Sequence, residues 1–145
     1  MKYTVSGTNE LKKIAETLLS KLSQGDKAVV VALSGDLGAG KTTFTKELAE
    51  LLGVTEVVAS PTFVIERVYP IDVKGFTTLV HIDAYRMETA EEILRLGWEE
   101  VTADPKNIIV IEWPEKVADA IPEDAIRLNF EHGETENERI IELHD

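Results

Sequence analysis

The sequence contains no cysteine. Disulfides, thiolate metal sites and cysteine nucleophiles are therefore excluded, and a reducing compartment suits the chain. No apolar run approaches the roughly 18 residues that would suggest a membrane-spanning helix. The opening Met1-Lys2-Tyr3-Thr4-Val5 lacks the apolar core of a signal peptide, so a cytoplasmic location is expected. Positive charge is scarce: 15 Lys and Arg face 27 Asp and Glu, for a formal net charge of −12. An acidic surface repels phosphate backbones. Direct tight binding to nucleic acid is not expected, and any role in nucleic-acid metabolism is expected to run through a partner. The arginines Arg67, Arg86, Arg95, Arg127 and Arg139 are scattered. They do not form the basic lid with which a small-molecule kinase clamps two phosphorylated substrates. No Asn-Lys-x-Asp segment is present to read guanine. Repeats, low-complexity tracts and linkers are also missing, and 145 residues suffice for one domain with a real core. A single domain over residues 1–145 is expected.

The stretch Gly35-Asp36-Leu37-Gly38-Ala39-Gly40-Lys41-Thr42 fits the phosphate-binding pattern G-x-x-x-x-G-K-[ST] at every defined position. It follows the apolar run Ala28–Leu33 and precedes a helical pattern that includes Phe44, Leu48, Leu51 and Leu52. The chemistry accounts for the residue types. A triphosphate needs many donors at close range, and glycines let the backbone curl with its N–H groups inward. The following helix adds free N–H groups and the positive end of its dipole. Lys41 can reach the β- and γ-phosphates, and the Thr42 hydroxyl can bind the Mg²⁺ that bridges them. ATP and Mg²⁺ are the expected ligands, with the backbone of Gly38, Ala39, Gly40, Lys41, Thr42 and Thr43 as the cradle.

Around this loop the chain divides into short elements. Lys2–Ser6 reads as a strand. Leu11, Ile14, Ala15, Leu18, Leu19 and Leu22 mark one face of a helix over Asn9–Ser23, with Thr8 or Asn9 as its N-cap and Gly25 just past its end. Lys27–Leu33 is apolar throughout, as in a parallel strand covered on both faces, and a helix over Lys41–Leu52 ends at Gly53. Ala59-Ser60-Pro61-Thr62-Phe63 reads as a loop before a strand. Its hydroxyls suit either a segment that senses the γ-phosphate or a plain turn.

Thr62–Tyr69 and Gly75–Ile82 are strand patterns joined by a short loop around Asp72 and Gly75. The second runs into His81-Ile82-Asp83-Ala84-Tyr85-Arg86. Alternation puts His81, Asp83 and Tyr85 on one side if the strand continues. Strand ends beside a phosphate loop are where ligands sit, so Asp83 is a candidate for orienting water or a metal shell. Thr89-Ala90-Glu91-Glu92 is a capping box opening a short helix closed by Gly97; Trp98 reads as core. Asn107–Glu112 is a buried-type strand ending in an acid, and beside a phosphate loop such an acid holds Mg²⁺ directly or through water. Pro114 ends that strand and can start a helix through Ala118. Ala125–Phe130 and Glu138–Leu143 are two further strands around a polar turn at Gly133, where Arg139 could reach a phosphate or adenine.

Four motifs thus stand in order: Gly35 to Phe44, Ser60-Pro61-Thr62-Phe63, His81 to Arg86, and Glu112-Trp113-Pro114. The set resembles the bacterial TsaE family, also called YjeE, over essentially the whole chain. The resemblance implies an α/β fold of the P-loop NTPase kind, a mixed sheet with helices on both faces. Antiparallel strands are added in its middle and at its C-terminus. It implies a Mg²⁺-dependent ATPase, weak alone, that works with TsaD and TsaB. The pathway makes N6-threonylcarbamoyladenosine at position 37 of tRNAs reading codons that start with adenine. It also implies that Thr42 and Glu112 hold Mg²⁺, that Thr62 lies in a switch-like segment, and that Lys41 and Asp83 serve hydrolysis. Thr8 and Arg139 would approach the nucleotide. The same residues would also serve a nucleotide-dependent switch whose turnover is incidental.

Overall fold

The structure is a computed structural model that describes residues 1–36, 39–55 and 66–144. Within them, seven strands form one mixed sheet: β1 Lys2–Val5, β2 Val29–Gly35, β3 Glu66–Val73, β4 Phe76–Asp83, β5 Asn107–Glu112, β6 Ile126–His132 and β7 Arg139–His144. Their spatial order is β1-β7-β6-β2-β5-β4-β3. The centre, β6-β2-β5-β4, is parallel. β3 adds antiparallel to β4 on one side, and β7 and then β1 add antiparallel on the other. This is the mixed sheet expected from the sequence.

The central strands read as continuous apolar runs because both of their faces are covered. On one face lie α1 (Thr8–Lys21) and α2 (Lys41–Leu51), packed around Leu18, Leu33, Phe44, Leu48, Leu79, Ile108 and Phe130. On the other lie α3 (Ala90–Leu94), α4 (Trp98–Ala103) and the 3₁₀ helix Pro114–Ala120, around Ile82, Ile93, Trp98, Ile109 and Ile111. Alternation along β5 sends Ile108 and Val110 to the first face and Ile109 and Ile111 to the second. Glu112, two residues beyond Val110, therefore points to the α1–α2 face.

Several local expectations are corrected. The N-cap of α1 is Gly7, in extended backbone; Thr8 is already helical and Asn9 follows it. The first turn is held instead by the Glu10 carboxylate, which accepts the Ser6 backbone N–H at 2.6 Å. Asp72 belongs to β3, and the β3–β4 turn is confined to Lys74 and Gly75, both left-handed. Lys74 reaches across to α1 and donates to the carbonyls of Leu19 (2.7 Å) and Leu22 (3.0 Å) at its C-terminal end. Pro70 is tolerated because β3 is an edge strand. The helix α4 carried no sequence signal of its own. Gly97 at φ 80° both ends α3 and starts α4, and the Trp98 indole N–H is satisfied by Ala120 O at 2.9 Å. Thr62 and the rest of 56–65 lie outside the described residues.

Gly35, the last residue of β2, has φ 130°, and a Cβ there would stand 2.0 Å from the carbonyl oxygen of Phe130 on β6. Only glycine lets β2 run against β6 and turn into the loop. Gly35→Ala is expected to cost about 2–3 kcal/mol or more in chemical denaturation. An unchanged unfolding midpoint would mean that this close approach does not constrain the fold.

Candidate functional site

The parallel register sets the site. Leu33 on β2 and Asp83 on β4 both pair with Glu112 on β5, so β4 and β5 end at one level and β2 runs just past it to Gly35. The loop after β2 crosses this level and leads into α2. Gly40 takes the left-handed conformation at φ 104°, and its carbonyl accepts the Phe44 N–H at 2.8 Å. Ala39 N–H donates to Asp36 O at 3.2 Å. The amides opening α2, those of Lys41, Thr42 and Thr43, have no carbonyl within the helix to bind. Gly38 lies outside the described residues.

Lys41, Thr42 and Glu112 come together although seventy residues separate the last two. The Thr42 hydroxyl donates to Glu112 Oε1 at 3.2 Å. Glu112 Oε2 lies 2.7 Å from His81 Nε2, with both side chains buried. Lys41 is also buried; its ammonium donates to Gly35 O at 2.7 Å and lies 3.5 Å from the ring centre of Trp113. Trp113 holds this place through a left-handed backbone (φ 61°) that turns the chain sharply off β5. Its N–H is taken by Leu33 O at 3.2 Å. Burial lowers the Lys41 pKa from the usual lysine value, against the opposing pull of Glu112, Glu115, Asp83 and Asp36.

Asp83 ends β4 half-buried, and its Oδ1 accepts the Tyr85 N–H at 2.9 Å. Burial raises its pKa; the Tyr85 amide opposes this, Glu112 adds to it, and His81 and Lys41 oppose it. Tyr85 does not continue the strand. It is exposed and packs against Trp113 with ring centres 5.1 Å apart. Sequence reasoning missed the position of Trp113 over Lys41, because it depends on one left-handed residue after an acid-ended strand.

A cleft of about 230 Å³ adjoins the start of α2. It is lined by Ser6, Gly7 and Thr8 from the entry to α1, by Gly40 and Thr43, and by Asn137 and Arg139 from the approach to β7, the strand paired with β1. Thr8 and Arg139, far apart in sequence, thus meet beside the loop. Arg139 Nη1 donates to the carbonyls of Glu136 (2.7 Å) and Glu138 (2.9 Å). Asn137 is a lining residue for which the sequence carried no signal.

Thr42 and Glu112 offer adjacent hard oxygen donors. Among the described residues no cluster of three or more His, Asp or Glu could hold a metal alone. A donor set of this kind fits a cation such as Mg²⁺ that uses one or two protein oxygens together with substrate phosphates and water.

Parallel strands ending level with a G-x-x-x-x-G-K-T loop, beside an acid-ended strand, define a phosphate-loop α/β protein. The family model described as threonylcarbamoyl adenosine biosynthesis protein TsaE matches residues 5–141. The tRNA threonylcarbamoyladenosine biosynthesis protein TsaE of Streptomyces coelicolor is 41% identical over 131 residues, covering 88% of this chain and 84% of that protein. The protein of the same name from Bacillus subtilis is 38% identical over 128 residues, covering 88% of this chain and 75% of the relative. The crystal structure of Bacillus subtilis YdiB superposes with a TM-score of 0.78 at 30% identity, over 99% of this chain and 83% of that one. The chain belongs to the TsaE family.

A raised Asp83 pKa means that ionising this group disfavours the folded chain. The penalty is absent below the ordinary aspartate range and complete above the raised folded value. Asp83→Asn keeps the acceptor for Tyr85 N–H and removes the charge. In nucleotide-free protein with EDTA, it is expected to unfold at higher denaturant than the parent at pH 7, with the gain vanishing toward pH 3. A variant less stable than the parent at pH 7 would contradict this sign.

Proposed function

We propose that this chain binds and hydrolyses ATP with Mg²⁺ in support of N6-threonylcarbamoyladenosine formation on tRNA, acting with TsaD and TsaB. The observation that carries the reading is the meeting of Lys41, Thr42 and Glu112 at the loop. The names of the relatives support the pathway. A net charge of −12 supports contact with tRNA through the partners rather than directly.

In this reading the backbone amides of Ala39 to Thr43 and of Gly38 bind the β- and γ-phosphates. Lys41 leaves Gly35 O and Trp113 to donate to the phosphate oxygens, a charge-assisted bond stronger than the one it gives up. Thr42 and Glu112 would hold Mg²⁺, which when bound neutralises phosphate charge. Asp83 orients the attacking water from the end of β4. Thr8, Thr43 and Arg139 face the cleft beside the loop, where the nucleoside half of ATP has room. Thr62 belongs to the segment expected to respond to the γ-phosphate. A second reading, a nucleotide-dependent switch with incidental turnover, draws on the engagement of Lys41 with Gly35 O and the Trp113 ring. Phosphate binding must break that contact, so nucleotide occupancy and the position of Trp113 are coupled.

The test is ATP hydrolysis by the purified chain, alone and with TsaB and TsaD, with threonylcarbamoyladenosine formation measured in the same mixtures. Turnover stimulated by the partners is expected, and Lys41→Ala should lower it about 10²–10³-fold, as loss of one donor to developing charge does. Unchanged turnover in that variant would overturn the site. Tight ATP binding without turnover in any mixture would favour the switch.

A further inference from the structure

The His81–Glu112 contact does more than fill the core. His81 is fully buried on β4, two residues before Asp83, and its Nε2 stands 2.7 Å from Glu112 Oε2. The register explains the meeting: His81 pairs with Val110, so its side chain lies on the same sheet face as Glu112 and one step behind it. Among the described residues, its other ring nitrogen, Nδ1, is buried without a hydrogen-bond partner. A buried unpaired N–H costs more than a buried unpaired lone pair on a neutral ring. Nε2, which faces the carboxylate, therefore carries a proton, and His81 donates to Glu112.

A glutamate at a strand end has three side-chain torsions and many orientations. Here both carboxylate oxygens are spoken for: Oε2 takes the His81 N–H, and Oε1 takes the Thr42 hydroxyl. With Oε2 tied back into the core, Oε1 is held beside Thr42, where the cation of the proposed function would sit.

We propose that His81 is a positioning residue that fixes Glu112 so that Oε1 and the Thr42 hydroxyl present a preformed oxygen pair to Mg²⁺. This rests on the reading of Thr42 and Glu112 as the cation site. A donor that orients a metal-binding carboxylate in this way is worth about 10–100-fold in metal affinity.

The test measures ATP affinity by equilibrium binding in EDTA and across a Mg²⁺ titration, for the parent, Glu112→Ala, His81→Phe and His81→Gln. The Phe variant keeps the shape without a donor. The Gln variant returns an N–H near the place of Nε2. Expected is a Mg²⁺ requirement shifted upward by about 10–100-fold in His81→Phe, with affinity in EDTA unchanged and with the shift reversed in His81→Gln. A merely structural role would lower both affinities together, and that result would overturn the proposal. So would a His81→Phe titration equal to the parent's where Glu112→Ala has lost its Mg²⁺ response. A parent without any Mg²⁺ response would overturn the cation site itself and the positioning role with it. If His81→Phe does not fold, ¹⁵N NMR of the imidazole in the unmutated chain decides. The Nε2–H tautomer supports the proposal, and the Nδ1–H tautomer overturns it.

Discussion

The site depends on one buried carboxylate. Glu112 is 4% exposed at the end of a strand whose six residues are all buried. Burying a charge is costly unless it is paired and hydrogen-bonded. Glu112 meets this through Thr42 on α2, His81 on β4 and the Coulombic attraction of Lys41. These contacts join the phosphate loop to two strands of the sheet, and none of them is local in sequence. The balance is also incomplete: Asp36, Asp83, Glu112 and Glu115 all act on Lys41, so carboxylates outnumber this one ammonium. A triphosphate entering such a site meets repulsion that a divalent cation would cancel. In the proposed reading, dependence on a cation would follow from the charge count as much as from any individual ligand.

The same balance accounts for Trp113. The chain leaving β5 turns through a left-handed residue, and the indole comes to lie on the Lys41 ammonium. A cation over an indole gains about 0.5–2 kcal/mol, more when desolvated. This compensates part of the burial that lowers the Lys41 pKa. Tyr85 packs against Trp113, while its backbone N–H holds Asp83. Asp83, Tyr85, Trp113 and Lys41 are therefore connected through contacts, and in the proposed reading a phosphate that draws Lys41 away would disturb the aromatic pair.

What the sequence made legible follows from where each signal resides. The loop motif, the apolar strands and the acid closing β5 are local patterns that point to parallel strands covered on both faces, while the mixed character of the sheet came from the family resemblance. The capping box at Thr89 also formed as read. The Thr8 or Asn9 cap did not, because Gly7 and Glu10 performed that role by another route. The helix α4 was hidden because one glycine served as the stop of one helix and the start of the next. Asp83 and His81 were recognisable as candidates at a strand end. Their relation to Glu112 was not, since it required knowing that β4 lies directly beside β5 and in which register. The outlying strands posed the same difficulty: nothing local to Arg139 announces that β7 carries it next to Val5.

That last pairing gives the antiparallel additions a purpose beyond closing the sheet. The parallel core alone supplies the strand ends and the loop, which is where phosphates are bound. It supplies no wall on the side of α2 that faces β6. β7 and β1 extend the sheet in that direction, and the turn from β1 into α1 brings Ser6, Gly7 and Thr8 against Gly40 and Thr43. Arg139, the first residue of β7 and the register partner of Val5, and Asn137 before it complete the lining beside that turn. The cleft is thus assembled from the two ends of the chain around a loop from its middle. Its shape depends on β1 and β7 staying paired, and Met1 adds to that pairing by exchanging hydrogen bonds with Leu143. In the proposed reading, phosphate recognition belongs to the rigid centre of the sheet. Recognition of the nucleoside belongs to its edge, where strand pairing is easiest to loosen. A partner that grips this edge would alter nucleotide exchange without touching Lys41, Thr42 or Glu112.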